Sequence, residues 1–87
     1  SAAGSLAPLV PALAAAVLAF RERAIEAMAA AWASAHLRVA WDSCTDEFRR
    51  NVRARCAKLL AGQIDDLSEF DRAAFAVARA LGLVEGP

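Results

Sequence analysis

The sequence predicts an all-α protein, a small helical bundle of three to four helices whose first helix is long and alanine-rich. Twenty-four of its 87 residues are alanine, and 16 of these lie between Ala2 and Ala40. Alanine has the highest helix propensity, and its small side chain lets two helices approach closely. Apolar residues also recur with the helical period in three segments, and glycine and proline lie near the segment ends.

Length and composition indicate one folded domain. A chain of 87 residues can bury a single core, and 59% hydrophobic with 23% charged residues is far from the composition of disordered proteins. We expect residues 8–84 to form one helical domain. Residues 1–7 are expected to be a flexible tail, or added residues that take no part in the fold. Residues 85–87 are expected to fray at the C-terminus.

The first helix is predicted over residues 9–38. Pro8 and Pro11 fit its first turn, where a missing N–H is tolerated. No helix breaker follows until Trp41, Asp42 and Ser43. The segment is therefore one long helix, or two helices joined by a kink.

One face of this helix is predicted to be apolar, either as part of the core or as an interface. At about 100° per residue, Leu18, Ile25 and Trp32 stack above one another. The neighbouring positions on that face are Val17, Ala24, Met28, Ala31 and Ala35. The opposite, solvent-facing side is predicted to hold Glu22, Arg23, Glu26, Ala30 and Ala33.

A second helix is predicted to follow Thr45. This residue is the expected N-cap, with Asp46 and Glu47 in the first turn, and a cap at Ser43 is the alternative register. Gly62 is the expected end of the helix. Its buried face is predicted to contain Phe48, Val52, Cys56, Leu59, Leu60 and Gln63.

The last helix is predicted to begin after Asp66 or Ser68, either of which can cap it. Gly82 is the expected left-handed residue beyond its C-terminus. Its buried side is predicted to contain Leu67, Phe70, Ala74, Val77, Ala78 and Leu81, with Phe75 off that stripe.

The residues between the first two helices include the types found in thiol enzymes. His36, Asp42, Ser43 and Cys44 could supply a base, an orienting carboxylate and a nucleophile. Helix capping explains Asp42 and Ser43 equally well, and His36 suits a helix C-terminus. A small helical domain also lacks the cleft-forming loops that exclude water during covalent catalysis. We therefore rank a Cys/His thiol enzyme third among the functions considered.

The cysteines predict neither a disulfide nor a metal site. If residues 45–61 are helical, Cys44 and Cys56 lie about 17 Å apart, whereas a disulfide requires Cα atoms within about 7 Å. Cys56 falls on the apolar face and is predicted to be a small buried hydrophobe. Two cysteines and one histidine cannot form a four-ligand zinc site, and the acidic residues after Asp42 lack the glycine of a calcium loop. No cofactor or metal is expected.

Membrane insertion is not expected. The apolar run from Leu6 to Phe20 has 15 residues, fewer than the roughly 20 that span a bilayer, and it contains two prolines. Free thiols fit a reducing compartment. The expected location is intracellular, either cytoplasmic or nuclear.

A basic cluster keeps nucleic-acid binding open as the second hypothesis. Arg49, Arg50 and Arg53 share an arc of about 100° opposite the apolar stripe of their helix, and Arg38 could extend this patch along phosphates. The net charge of zero argues against a general nucleic-acid binder. A solvated face, or pairing with the acidic group from Asp65 to Asp71, is the simpler explanation.

Association with a protein partner is the leading hypothesis. A first helix of about 45 Å is longer than two helices of about 15 residues can cover, so part of its apolar surface should remain exposed. The commonest partner for such a surface is a second copy related by a two-fold axis, which predicts a homodimer. We predict a non-enzymatic adaptor or regulatory module whose candidate partner-binding residues are Leu18, Ile25, Met28, Trp32 and Trp41. The alternative for both tryptophans is that they close the ends of one small core.

Overall fold

The computed structural model describes residues 9–85, and within this range the chain is an all-α bundle of three helices. Helix α1 spans Leu9–Leu37, a 3-10 turn spans Trp41–Ser43, α2 spans Asp46–Leu60 and α3 spans Glu69–Ala80. The predicted fold class is therefore confirmed. Pro8 and the predicted tail of residues 1–7 lie outside the described residues, as do the last two residues of the segment predicted to fray.

Helix α1 is one continuous helix of 29 residues, about 43 Å long at 1.5 Å per residue. Pro11 lies in its first turn, as predicted. The helix ends at Leu37 because Arg38 adopts a left-handed conformation with φ of 56°. The N–H of Arg38 still donates to the carbonyl of Ser34, at 2.9 Å. The chain then turns away toward α2.

The predicted N-caps and glycine stops of the other helices are confirmed. The Thr45 hydroxyl accepts a hydrogen bond from the N–H of Phe48 at 3.2 Å, whereas the Ser43 hydroxyl donates to the carbonyl of Ala40, just before the 3-10 turn. Gly62 and Gly82 have φ of 70° and 74°, so each supplies the left-handed residue that follows its helix.

Helix α3 begins with a reciprocal capping box. The Ser68 hydroxyl accepts from the N–H of Asp71 at 3.1 Å, and the Asp71 carboxylate accepts from the N–H of Ser68 at 2.9 Å. Two of the unpaired N–H groups at the helix start are thereby satisfied. Ser68, rather than Asp66, is the cap.

Alanine dominates the buried core. Met28, Leu59 and Cys56 are its largest fully buried apolar side chains, and Cys56 is buried as predicted. The other buried apolar residues are Ala24, Ala29, Ala33, Val52, Ala74 and Ala78. Helix α1 packs more extensively against α3 than against α2. The buried alanines of α1 and α3 favour close packing of these two helices, because their side chains are small.

Parts of the predicted buried faces are wrong. Ala33 was assigned to the solvent-facing side of α1 but is fully buried, and Glu26 from the same side is half-buried. Leu81 is 41% exposed, whereas Phe75 packs against the core although it lies off the predicted stripe. The alanine-rich stretch has few large apolar side chains. Its sequence pattern therefore does not determine closely which side of the helix faces the core.

The N-terminal half of α1 extends beyond the bundle. Helices α2 and α3 have 15 and 12 residues and pack against the C-terminal half of α1. In residues 9–23, which we call the overhang, every residue except Ala19 is exposed. The radius of gyration is 15.9 Å, whereas a compact domain of this length has about 12 Å. The prediction that the long helix cannot be covered by its neighbours is confirmed for the described residues.

Candidate functional site

A buried carboxylate joins the three helices. The Asp71 side chain has no exposed surface. Its Oδ1 accepts hydrogen bonds from Trp32 Nε1 at 2.9 Å and from Arg55 Nε at 2.8 Å, while its Oδ2 accepts from Arg55 Nη2 at 2.7 Å. Trp32 lies on α1, Arg55 on α2 and Asp71 on α3, so one carboxylate connects all three helices.

These contacts stabilise the charged form of Asp71. The Arg55 guanidinium holds the pKa of Asp71 well below its usual range, and the hydrogen bonds from Ser68 and Trp32 act in the same direction. Burial opposes the shift, but the donors outweigh it. The same ion pair raises the pKa of Arg55. Asp71 is therefore a structural anion at neutral pH.

A second carboxylate has the same combination of partners nearer to the surface. The Glu26 carboxylate on α1 accepts from Trp41 Nε1 at 2.5 Å and from Arg53 Nε at 2.7 Å. The Arg53 guanidinium also lies 5.5 Å from the centre of the Trp41 ring, a distance that allows a cation–π contact. Hydrogen bonding by Arg53 and Trp41 lowers the pKa of Glu26. This cluster fastens the 3-10 turn and α2 to α1.

Four of the five candidate partner-binding residues belong to the interior of the bundle. Met28 is fully buried, so it is not accessible to a partner. Ile25, Trp32 and Trp41 are partly buried and pack against the core. Both tryptophans also donate their indole N–H groups within the chain, so the alternative in which they close one small core describes their geometry. Only Leu18, at 60% exposure, lies on open surface.

Few features of the sequence predict these clusters. We predicted only that the acidic group from Asp65 to Asp71 could pair with the basic cluster, whereas Asp71 pairs with Arg55, and Arg53 pairs with Glu26. The one available signal was the three-residue spacing from Ser68 to Asp71, which is that of a capping box. Pairing between helices depends on how the helices are arranged, and no pattern within one helix records that arrangement.

His36 lies in an aromatic cluster. Its ring centre is 4.6 Å from that of Phe70, 4.9 Å from that of Trp32 and 6.4 Å from that of Phe48. The Cys44 thiol instead lies 3.6 Å from the carbonyl oxygen of Ala40. No hydrogen bond joins His36 to Cys44 in the described part of the chain. The four residues considered for thiol chemistry are therefore not assembled into a hydrogen-bonded unit.

Cys44 borders a small apolar cleft of about 320 Å³. Its lining residues are Leu37, Val39, Ser43, Cys44, Thr45 and Phe48. The other thiol, Cys56, is free and buried, and burial raises its pKa to about 12. A thiol with so high a pKa is almost entirely protonated at neutral pH, so it is not a nucleophile.

The basic patch is only partly available to a ligand. Arg49 forms an ion pair with Asp46, and Arg53 pairs with Glu26. Arg50 and Arg38 are exposed. Arg38 lies beyond the end of α1 and outside α2. The four arginines that were candidates for an electrostatic surface therefore include two whose charge is balanced within the fold.

The overhang carries most of the exposed large apolar side chains. Val10, Leu13, Val17 and Leu18 are each at least 60% exposed, and Phe20 is 41% exposed. Leu9 adds a further residue at 51%. No charged residue occurs in residues 9–20. This contiguous uncharged surface is the strongest candidate for a functional site.

Residues 9–85 contain neither a candidate membrane-spanning helix nor a candidate metal site. No helix in this range is both long and apolar enough to pass through a bilayer. Within the same range, no three His, Cys, Asp or Glu side chains form a group able to hold a metal ion.

The geometry therefore offers two structural ion-pair clusters, a small cleft beside Cys44 and one large apolar surface. No protein family, curated protein or solved structure matches this chain. The side chains of the apolar surface can contribute only hydrophobic burial and close packing. Both contributions are typical of contacts between helices.

Proposed function

We propose that this protein is a non-enzymatic association module that binds another protein chain, in the first place a second copy of itself, through the overhang of α1. The observation that carries the proposal is the exposure of large apolar side chains along residues 9–20. Soluble proteins rarely leave contiguous apolar patches of more than a few hundred Å² in water, and larger ones mark interaction sites.

The size of the surface indicates the strength of the association. The 15 residues of the overhang measure about 22 Å, and half the circumference of a helix about 10 Å wide is about 16 Å. One copy thus offers about 350 Å², and two copies together bury about 700 Å², below the roughly 1,200 Å² of stable interfaces. We expect a weak, reversible complex with a dissociation constant of about 10 μM to 1 mM.

The polar clusters support a structural rather than a catalytic role. The carboxylates of Asp71 and Glu26 have perturbed pKa values, as catalytic acids often do. Both carboxylates accept hydrogen bonds from an indole and a guanidinium of the same chain. These groups hold helices together, and their hydrogen bonds connect residues far apart in the sequence.

Sedimentation equilibrium over about 10 μM to 1 mM tests the proposal. We expect the apparent mass to rise above 9.2 kDa with concentration in the wild-type protein. A Leu13→Gln, Val17→Gln double variant should stay monomeric while keeping its helical circular dichroism, because both side chains are exposed. A wild-type protein that remains monomeric at 1 mM would overturn self-association.

Salt dependence separates this proposal from nucleic-acid binding. Association through apolar side chains should persist when the salt concentration rises from 50 mM to 500 mM, whereas phosphate binding weakens steeply with salt. Retention on DNA that is lost at high salt and abolished by Arg50→Gln would instead favour the nucleic-acid hypothesis. The matched control is Arg72→Gln, because Arg72 is also exposed but lies on α3.

A further inference from the structure

The apolar residues of the overhang follow a heptad pattern. Val10, Leu13, Val17 and Phe20 are separated by three, four and three residues. This alternation is that of positions a and d in a coiled coil, with valine at both a positions. We call these four residues the seam. Ala24, Ala27 and Ala31 continue the same spacing into the part of α1 that belongs to the bundle.

The seam lies at one edge of the side of α1 that the bundle covers, since buried Ala24 and Met28 fall within its angular range farther along the helix. At 100° per residue, its four side chains centre about 90° around α1 from the buried and half-buried residues of the C-terminal half. Helices α2 and α3 pack beyond the overhang, along the C-terminal half of α1. A further helix can therefore lie along the seam without displacing either of them.

We propose that the seam binds the seam of a second copy in an antiparallel two-fold pair centred at the level of Ala15. This inference rests on the function proposed above and specifies the partner and its geometry. In this register Val10 lies opposite Phe20 of the second copy, and Leu13 lies opposite its Val17, because each pair of residue numbers adds to 30. Each a position thus meets a d position, as antiparallel packing requires.

The surroundings of the seam favour a second copy. Ala14 and Ala16 flank the seam on its two sides, so two helices can approach closely along it. A partner bound to an uncharged stripe of this kind must itself be apolar, since any charge facing the stripe would be desolvated without compensation. The seam is itself apolar and uncharged, so the seam of a second copy meets this requirement.

The direction follows from the position of the bundles. An antiparallel pair places the two bundles at opposite ends, and Arg21, Glu22 and Arg23 fall at the edges of the contact. A parallel pair would bring both bundles to the same end and would align Phe20 with Phe20 and Val10 with Val10. The antiparallel register instead sets a larger side chain against a smaller one in every layer, which fills space more evenly.

Two matched substitutions test the seam. Val17 and Leu18 are neighbours with 65% and 60% exposure, but only Val17 lies on the seam. We expect Val17→Glu to weaken dimerisation at least tenfold in sedimentation equilibrium, and Leu18→Glu to change it less than threefold. Equal weakening by both variants would overturn the seam while leaving the proposed function in place.

The direction is tested by a distance between spin labels. A label on the exposed position Ser34, introduced as Ser34→Cys in a Cys44→Ser background, leaves Cys56 unlabelled in the core. The antiparallel pair places the two labels about 57 Å apart, from 38 residues of axial separation at 1.5 Å each. A parallel pair would give less than about 30 Å and would overturn the proposal. A protein that is monomeric at 1 mM overturns the proposed function as well.

Discussion

Asp71 is the residue at which the three helices meet, because its carboxylate receives donors from α1, α2 and the start of α3. We expect Asp71→Asn to lower the free energy of unfolding by about 2 kcal/mol in urea titration at pH 7. Removing one partner of a buried ion pair typically costs about 3–5 kcal/mol. Arg55 is 41% exposed and can be hydrated, so the lower figure applies here.

Asp65→Asn is the control for this substitution. Asp65 is exposed in the loop before α3, so the same chemical change should alter stability by less than about 0.5 kcal/mol. Equal effects of the two substitutions would show that Asp71 acts through the net charge of the molecule and not through its three buried contacts.

The lowered pKa of Asp71 predicts a loss of stability in acid. Because the folded pKa lies below the unfolded value of 3.8, the unfolded chain binds more protons once the pH falls toward 3.8. The contribution of Asp71 is complete above about pH 5 and declines as the pH drops through 3.8 toward the folded pKa. Glu26, which is half exposed, adds a smaller term of the same sign.

The measurement is urea unfolding at several pH values between 2 and 7. The stability of the wild-type protein should fall steeply below about pH 4, and that of Asp71→Asn should fall less, since the variant has no titrating group at this position. Parallel curves for the two proteins would contradict the assignment of the acid sensitivity to Asp71.

At the scale of elements, the end of α1 is a strained position. Arg38 has φ of 56°, a conformation that side chains with a Cβ adopt at a cost and glycine adopts freely. We expect Arg38→Gly to raise the free energy of unfolding by about 0.5–1 kcal/mol. Ala35→Gly, inside the last turns of the same helix, should instead lower it by about 1 kcal/mol. Thermal unfolding of the two variants measures the difference.

The sequence predicted best those features that depend on neighbouring residues. Thr45 and Ser68 were recognisable as caps because their partners lie three residues away in the chain. Gly62 and Gly82 were recognisable as stops because few other residues adopt a positive φ. The left-handed Arg38 had no such signal, since arginine is ordinarily a good helix former.

Interactions between elements were largely invisible in the sequence. Glu26 and Arg53 are 27 positions apart, and Trp32 and Asp71 are 39 positions apart. Each pair forms only because α1 has a particular rotation against its neighbours, and an alanine-rich helix does not encode that rotation clearly. For the same reason Ala33 was assigned to solvent and Met28 to a partner, whereas both are buried in the core.

At the scale of the whole molecule, the most useful prediction came from the lengths of the three helices. A helix of 29 residues cannot be covered by helices of 15 and 12 residues, whatever the details of packing. The exposed overhang follows from that mismatch. The seam was harder to recognise, because its four residues lie beside Leu18, which shares their apolar character but points away from them.

The shape of the proposed dimer gives a last prediction. One chain measures 55 Å along its longest axis, and antiparallel pairing of residues 9–21 overlaps the two copies by about 18 Å. Small-angle X-ray scattering should therefore give a maximum dimension of about 90 Å at concentrations where sedimentation shows the dimer. Because two copies side by side in parallel would remain close to 55 Å in length, the two arrangements are well separated. Val17→Glu at the same concentration should return the scattering curve to that of the single chain, and Leu18→Glu should leave the long particle intact.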